Sequence, residues 1–531
     1  MSQGKTNELI SVLNKNMQVR EYLYKRGFLF TNDTTFSLKE FPFYDNWNKQ
    51  VVGEFCLYTH KDTTAYVYEN DGTNYFLVGH AYNPFTMEKD EDKILESIAK
   101  DSKDNYQDRV SELTGIYVIG WVEKDSVKFQ VDPSGMQSAY YGYVDSNLYI
   151  TSHFQLVGDL CNLEMSNIAK ELVNYKWYNR VMGSYLPGDI TAFEEVKRMV
   201  PSIQYSFKDR EFTHERIYPT HVNRICETEQ EYQQVIKQSA DILRKNMELV
   251  IQKWENPYIS LTGGIDSNTT FAAGNGMYDR LKTFTYVSAE KETIDAVAAK
   301  KISTHFNVEQ SIIDIPEEHS DIQYYDDIVK IIEHNNGYVV KRNKNEYRKR
   351  VLLIHQMPII GCDVEIKSWT SETIRAYWYK HYGRKRMPKL SPRLFRNLYK
   401  IFITKRGLAH KVDRIFADYI NKFDYEKIDS NYPAADMHYN EVTWGSWGGP
   451  NISEMKLYSD IAIIYNNRRL LDLLFRVPLE KRITDQHHLD MKKILNEELF
   501  DMNIRVINMK ETKFRAAMLN VIFTINMFLP F

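Results

Sequence analysis

The chain has 531 residues, 43% of them hydrophobic and 26% charged, with a formal net charge of −3 at pH 7. That length calls for two or more domains, and the composition is globular, not disordered. A near-neutral charge argues against nucleic acid as the main partner.

The four cysteines, Cys56, Cys161, Cys226 and Cys362, are scattered with no Cys-x-x-Cys pair. Neither a zinc knuckle nor a redox pair is suggested by that spacing, and a reducing cytoplasm is the expected compartment. Met1–Thr6 is polar and has no signal-peptide core. Residues 1 to about 30 predict a polar helical arm ending near Gly27. From Gly53 to Gly79 short β-like runs follow, with Asp71-Gly72 as a hairpin signal. A helix is predicted over 90–100, then four strands over 113–120, 127–131, 139–143 and 148–151. Asp132-Pro133-Ser134-Gly135 and Asp145-Ser146-Asn147 supply turns between them.

A boundary is expected near Tyr218-Pro219. Thr228–Trp254 then predicts a long helix, with Thr228 and Glu231 as a capping box. It leads into Tyr258-Ile259-Ser260-Leu261, a strand, and Thr262-Gly263-Gly264-Ile265-Asp266-Ser267-Asn268, a glycine turn that opens a helix. The glycines permit backbone angles and close approach that a Cβ would block. Such a turn aims backbone N–H groups and a helix N-terminus at one spot, which suits phosphate. Asp266 makes sense there if a divalent cation lies between it and the phosphate. Thr283–Val287 is the next strand, so the unit is βαβ and implies a parallel sheet. A nucleotide would lie across the carboxyl ends of these strands, at Leu261 and Tyr286-Val287.

Thr262–Ser267 resembles the Ser-Gly-Gly-x-Asp-Ser loop of ATP pyrophosphatases, the PP-loop enzymes, with Thr262 keeping the hydroxyl. Leu113–Val118, Asp132–Gly135, Tyr140–Gly142 and Leu148–Ser152 resemble the glutaminase-type amino-terminal domain of asparagine synthetases. Working glutaminases of that class carry a nucleophilic Cys after the initiator Met. Here that residue is Ser2, so the resemblance implies the fold without glutamine hydrolysis.

Further on, Met357–Gly361 predicts another strand. Val364–Tyr377 resembles the second synthetase loop, with Glu372 aligned to the Glu of an Asp-Glu pair and Tyr377 to a closing Tyr. Ser371 stands where that loop has a metal-binding Asp, and Trp369 replaces a glycine. Asp363 or Glu365 is left open as the substitute carboxylate. Glu372 is read as a metal ligand or as the acceptor of the amine's proton, against a structural pairing with Arg375, three residues on. The basic run from Lys341 to Arg350 reads as a solvated helix face, or else as a rim attracting an anionic substrate. Trp444–Pro450 reads as a loop, and His487 and His488 as surface residues. Ala516–Phe531 is apolar but short of the ~20 residues that span a bilayer, so a docked helix or strand is expected. The resemblance implies a lysine before Phe514 that offsets charge on the adenylate and pyrophosphate. Lys510 fits best, with Lys513 as the alternative.

These readings give an α/β chain. Residues 1–218 are expected to form an Ntn-hydrolase-like α+β sandwich of the class II amidotransferase type. Residues 219–531 are expected to form a PP-loop synthetase domain on a parallel sheet, with a helical carboxyl-terminal part. The expected activity is an ATP-dependent amidoligase, AMP- and pyrophosphate-forming, using ATP and Mg²⁺. Leu261, Thr262, Gly263, Gly264, Asp266, Ser267, Asn268 and Val287 would bind ATP, with Asp266 on the metal and Glu372, Lys510 and Arg375 catalytic. The acid is expected to be a small molecule, glycan or peptide, and a separate ammonia source is left open. No nucleic-acid partner and no transmembrane segment is expected, and a homodimer is left open. The rival readings are a degenerate nucleotide-binding module, which Ser371 favours, and a tRNA-modifying PP-loop enzyme.

Overall fold

The computed structural model describes residues 2–288, 290–504 and 513–528. Twelve strands fill the amino-terminal part: β1 Phe28–Thr31, β2 Trp47–Val52, β3 Phe55–His60, β4 Ala65–Asn70, β5 Thr73–Tyr82, β6 Thr114–Glu123, β7 Ser126–Val131, β8 Tyr140–Val144, β9 Asn147–Thr151, β10 Val196–Arg198, β11 Ile203–Lys208 and β12 Glu211–Arg216. They form two antiparallel six-stranded sheets, ordered β10-β8-β9-β1-β3-β2 and β12-β11-β7-β6-β5-β4. The sheets face each other through aromatic pairs, Phe30 on Phe76 at 5.0 Å and Tyr141 on Tyr205 at 4.7 Å between ring centres. Asp71 and Gly72 both take positive φ, 49° and 75°, in the β4–β5 hairpin. That is the turn their sequence predicts. The far side of the second sheet buries Tyr75, Leu77 and Trp121 against Ile94, Leu95 and Ile98 of the helix Glu91–Lys100.

The arm is helical and ends by Gly27, as its sequence predicts. Ser2–Lys15 is α-helical, Met17–Tyr22 is a 3-10 turn, and β1 already begins at Phe28. The residue that opens the first sandwich strand is therefore a phenylalanine, with no nucleophile.

The carboxyl-terminal part holds β13 Pro257–Ser260, β14 Lys282–Val287, β15 Gln310–Asp314, β16 Val364–Lys367 and β17 Asp460–Ile463. All pair parallel, in the order β15-β14-β13-β16-β17. The long helix Glu229–Lys253 starts at the predicted capping box of Thr228 and Glu231, and its carboxyl end leads into β13.

The two parts are tightly joined. His80 of β5 makes a 2.7 Å hydrogen bond with the Ile461 carbonyl of β17. Asn466 donates to Asp132 at 2.7 Å, and buried Arg216 pairs with buried Glu441 at 2.8 Å. Among the described residues no helix is long and apolar enough to cross a membrane. The apolar tail forms the helix Lys513–Phe528 and docks through buried Leu519, Phe523 and Asn526, the last donating to the Ile401 carbonyl at 2.6 Å.

Two local readings are corrected. Met357–Gly361 is no strand but the end of the helix Lys344–Ile359, which contains Pro358. A short apolar run does not distinguish the two states. Trp444–Pro450 is helical throughout, running from a π-helical stretch Tyr439–Gly448 into the helix Gly449–Met455.

Candidate functional site

Strand β13 is buried, with Tyr258 and Ile259 enclosed, as suits a central parallel strand. From β13 the chain steps to β14 on one side and pairs with β16 on the other. The strand order therefore reverses there, and the crevice at the carboxyl ends is where such sheets take ligands. The turn Leu261–Gly264 occupies that crevice, and Gly264 caps the helix Ile265–Ala273. Neither Gly263 nor Gly264 adopts positive φ. A Cβ on Gly264 would lie 3.2 Å from Thr262 Oγ1, so close approach, not a left-handed angle, requires glycine here.

The turn is clamped by its own hydroxyls. Thr262 Oγ1 accepts from Gly264 N–H at 3.1 Å and contacts Ser267 Oγ at 2.9 Å. Ser267 Oγ accepts from Thr262 N–H at 3.2 Å. Asn268 is buried and supports the turn from behind, its amide donating to the Gly263 carbonyl at 3.3 Å. The Gly263 N–H donates to Asp295 Oδ1 at 3.0 Å. A phosphate would compete with that carboxylate. Sequence reasoning missed Asp295, which lies 32 residues away on the helix Glu290–His305.

The turn lines a cavity of about 260 Å³ with Thr285, Tyr286, Glu292, Lys367, Trp369 and Glu372. Leu261, Thr262, Gly264, Asp266 and Ser267 all face it. Val287 does not; it lines an outer groove with Val297 and Ile312. At the end of β14 the residues that face the cavity are Thr285 and Tyr286.

Asp266 is the hub of the polar contacts. Ser371 Oγ donates to its Oδ1 at 2.7 Å, and Arg375 Nη1 pairs with its Oδ2. His488 Nε2 stands 3.6 Å from Oδ1. Arg375 also grips Asp485 at 2.7 and 3.0 Å, and Lys380 reaches the same acid at 2.7 Å. These cations hold the Asp485 carboxyl well below its ordinary range against the opposing effect of burial. Glu372 lies near Asp266 with Oε2 buried and unpartnered. Burial first, and the Asp266 charge second, push its carboxyl up to about 8.

His487 and His488 are fully buried, not on the surface. Their helix, Gln486–Leu495, packs on the helix that carries Asp266. Burial holds both imidazoles well below the usual histidine range. Asp363 accepts from Glu255 and Asn256 N–H groups at the amino end of the sheet, opposite the cavity. Glu365 is buried in β16 and takes Tyr458 Oη at 2.9 Å. Lys510 lies outside the described residues. Lys513 opens the final helix.

No protein-family profile matches the chain, and no curated protein sequence does. In structure, the chain is similar to the allosteric regulatory enzyme of purine biosynthesis at 9% identity and a TM-score of 0.25, covering 62% of this chain and 90% of that one. It is similar to glutamine-dependent NAD⁺ synthetase from Acinetobacter baumannii in complex with ADP, at 11% identity and a TM-score of 0.20, covering 40% and 43%. It is also similar to a U34-tRNA thiolase from Methanococcus maripaludis, at 14% and 0.21, covering 41% and 80%. Likenesses this distant carry no functional argument. The fold is α/β on its own strand order: paired antiparallel sheets, then a parallel sheet with a helical carboxyl-terminal part.

Proposed function

We propose that this chain is an ATP-dependent amide-forming ligase. A substrate carboxylate attacks the α-phosphate of ATP, pyrophosphate leaves, and an amine or ammonia then displaces AMP from the acyl-adenylate. The observation that carries this reading is the Thr262–Ser267 turn at the switch point of the parallel sheet, with Asp266 and Glu372 lining one cavity.

Each residue has a role in that chemistry. The turn's N–H groups and the N-terminus of the helix Ile265–Ala273 bind the phosphates. Arg375 and Lys380, fixed by Asp485, set positive charge behind Asp266, where the leaving pyrophosphate gathers negative charge. Trp369 and Tyr286 wall the cavity and limit water near the activated acid.

Magnesium fits the donor set. Glu372 has an unpartnered buried oxygen near Asp266, and a cation there would relieve the cost of two neighbouring carboxylates. Among the described residues no group of three or more His, Cys, Asp or Glu forms a metal site alone, so the remaining ligands would be phosphate and water. Asp266 and Glu372 would hold the ion, which when bound offsets phosphate charge.

Since β1 opens on Phe28, nitrogen comes from free ammonia, a separate glutaminase or an amine on the substrate. The acid is a small molecule, glycan or peptide, and the setting is the cytoplasm.

The test is AMP and pyrophosphate release from ATP by the full chain with a panel of acids, using hydroxylamine as acceptor. Asp266→Ala, shown to be folded by circular dichroism, should be slower by about 100-fold. Equal turnover by that variant would end the proposal. ADP binding without AMP formation on any acid would favour the non-catalytic nucleotide module, the reading that Ser371 supports.

A further inference from the structure

Five exposed large hydrophobic side chains gather on one element, the final helix Lys513–Phe528: Phe514, Met518, Val521, Ile525 and Phe528. Their spacing of four, three, four and three residues puts them in one stripe. At the rise of an α-helix that stripe is roughly 20 Å long. Ala517 lies on the same face and is also exposed. The opposite face holds Leu519, Phe523 and Asn526, buried against the body of the chain. A helix that is apolar on both sides belongs in a core or at a membrane, and this chain covers only one side.

The surroundings are basic. The helix has no acidic residue, and its two charges are Lys513 and Arg515. It packs beside a stretch with no Asp or Glu between Glu372 and Asp413. Within that stretch Arg384 donates to Asn520 at 2.6 Å and to Thr524 at 3.1 Å, along one flank of the stripe. Arg393 donates to the Met527 carbonyl at 3.1 Å. Lys385, Arg386 and Lys389 follow Arg384 and are exposed. Glu426 and Asp429 share their groove and leave it with an excess of positive charge.

An apolar stripe edged by cations fits a bilayer surface with anionic headgroups. There the side chains enter the acyl boundary, and Lys and Arg meet phosphate. A second copy fits less well. Two-fold pairing sets a patch against itself, cationic flank on cationic flank, with no acid on the helix to answer. The helix has 16 residues, short of the ~20 that span a bilayer, so it would lie in the interface and not across it.

We propose that the chain docks on anionic membrane surfaces through the helix Lys513–Phe528, with the Phe514–Phe528 stripe inserted and Lys385, Arg386 and Lys389 on the headgroups. None of these residues lines the nucleotide cavity, so the surface stands apart from the ligase reading.

The test is flotation of the full chain with vesicles of phosphatidylcholine alone or with about one-third phosphatidylglycerol. The parent should bind the mixed vesicles about 100-fold more tightly than the neutral ones, and high salt should release it. Val521→Asp with Ile525→Asp should abolish binding to both. Lys385→Gln with Arg386→Gln and Lys389→Gln should weaken binding to the mixed vesicles about 100-fold, at about fivefold per cation. Val51→Asp, at an exposed valine on β2, should float like the parent. Every substituted side chain is exposed, so the variants should melt with the parent. The inference is overturned if mixed vesicles do not float the parent, if neutral vesicles float it equally, or if the stripe variant floats as the parent does. A lipid-free dimer that the stripe variant splits, with no vesicle binding, would overturn it in favour of a second copy.

Discussion

Arg375 ties Asp266 to Asp485: one guanidinium nitrogen pairs with Asp266 Oδ2, while two others hold Asp485 at 2.7 and 3.0 Å. The first acid opens the helix behind the glycine turn, and the second immediately precedes the helix Gln486–Leu495. The planar fork of Arg375 therefore fastens the two helices together. Arg375→Met should destabilise the fold by about 2 kcal/mol, less than for a fully buried pair because these side chains keep some solvent contact. A lower urea midpoint at constant m-value is the expected result. Arg375→Lys should recover only part, since an ammonium does not reproduce the fork.

Glu372 predicts a pH dependence. Its carboxyl is raised from 4.5 to about 8 in the folded state, so the folded chain binds more protons than the unfolded one between those values. Stability contributed by this group is greatest at low pH and declines as pH rises through that window. Glu372→Gln keeps the neutral shape and removes the titration. Urea unfolding in metal-free buffer should show the variant gaining on the parent from about pH 5 to about pH 8. A difference that stays flat over that span would mean the carboxyl is not raised.

Asp266 should make nucleotide binding depend on magnesium. With Asp266→Asn, ADP should bind more tightly in EDTA than it does to the parent, about fivefold, because one negative charge near the phosphates is gone. The gain in affinity on adding Mg²⁺ should largely vanish. Calorimetry with and without the ion reads both effects. An undiminished magnesium response would exclude Asp266 as its ligand.

Arg216 and Glu441 tie the antiparallel sheets to the carboxyl-terminal part, with Glu441 also accepting from Tyr425. Their side chains are 6% and 0% exposed. Arg216→Met leaves the carboxylate buried without its cation, at a cost of about 3–5 kcal/mol. Replacing both partners, as Arg216→Met with Glu441→Leu, should cost less than the single change. Calorimetric unfolding of the three chains is the check. A double variant no better than the single would show that the penalty is lost packing, not an abandoned charge.

The glycine turn and its strand and helix were readable because they depend on neighbours in sequence. A hydroxyl at 262, two small residues and a carboxylate at 266 specify close backbone approach within one turn. The hairpins were readable for the same reason. The failures share the opposite cause. His487 and His488 lie in a polar stretch that looks exposed until the helix of Asp266 packs over it. Met357–Gly361 is apolar enough for either state, and the preceding helix simply continues through it.

What the chain order alone determined is the set of local shapes and the identity of one phosphate-suited turn. What only the tertiary structure decided is the company that turn keeps: Asp295 on its amide, and Arg375 and Ser371 on its acid. Backbone preference acts over a few residues. Charge and burial are settled by segments that meet across long separations in sequence, 105 positions for Asp266 and Ser371 and 225 for Arg216 and Glu441.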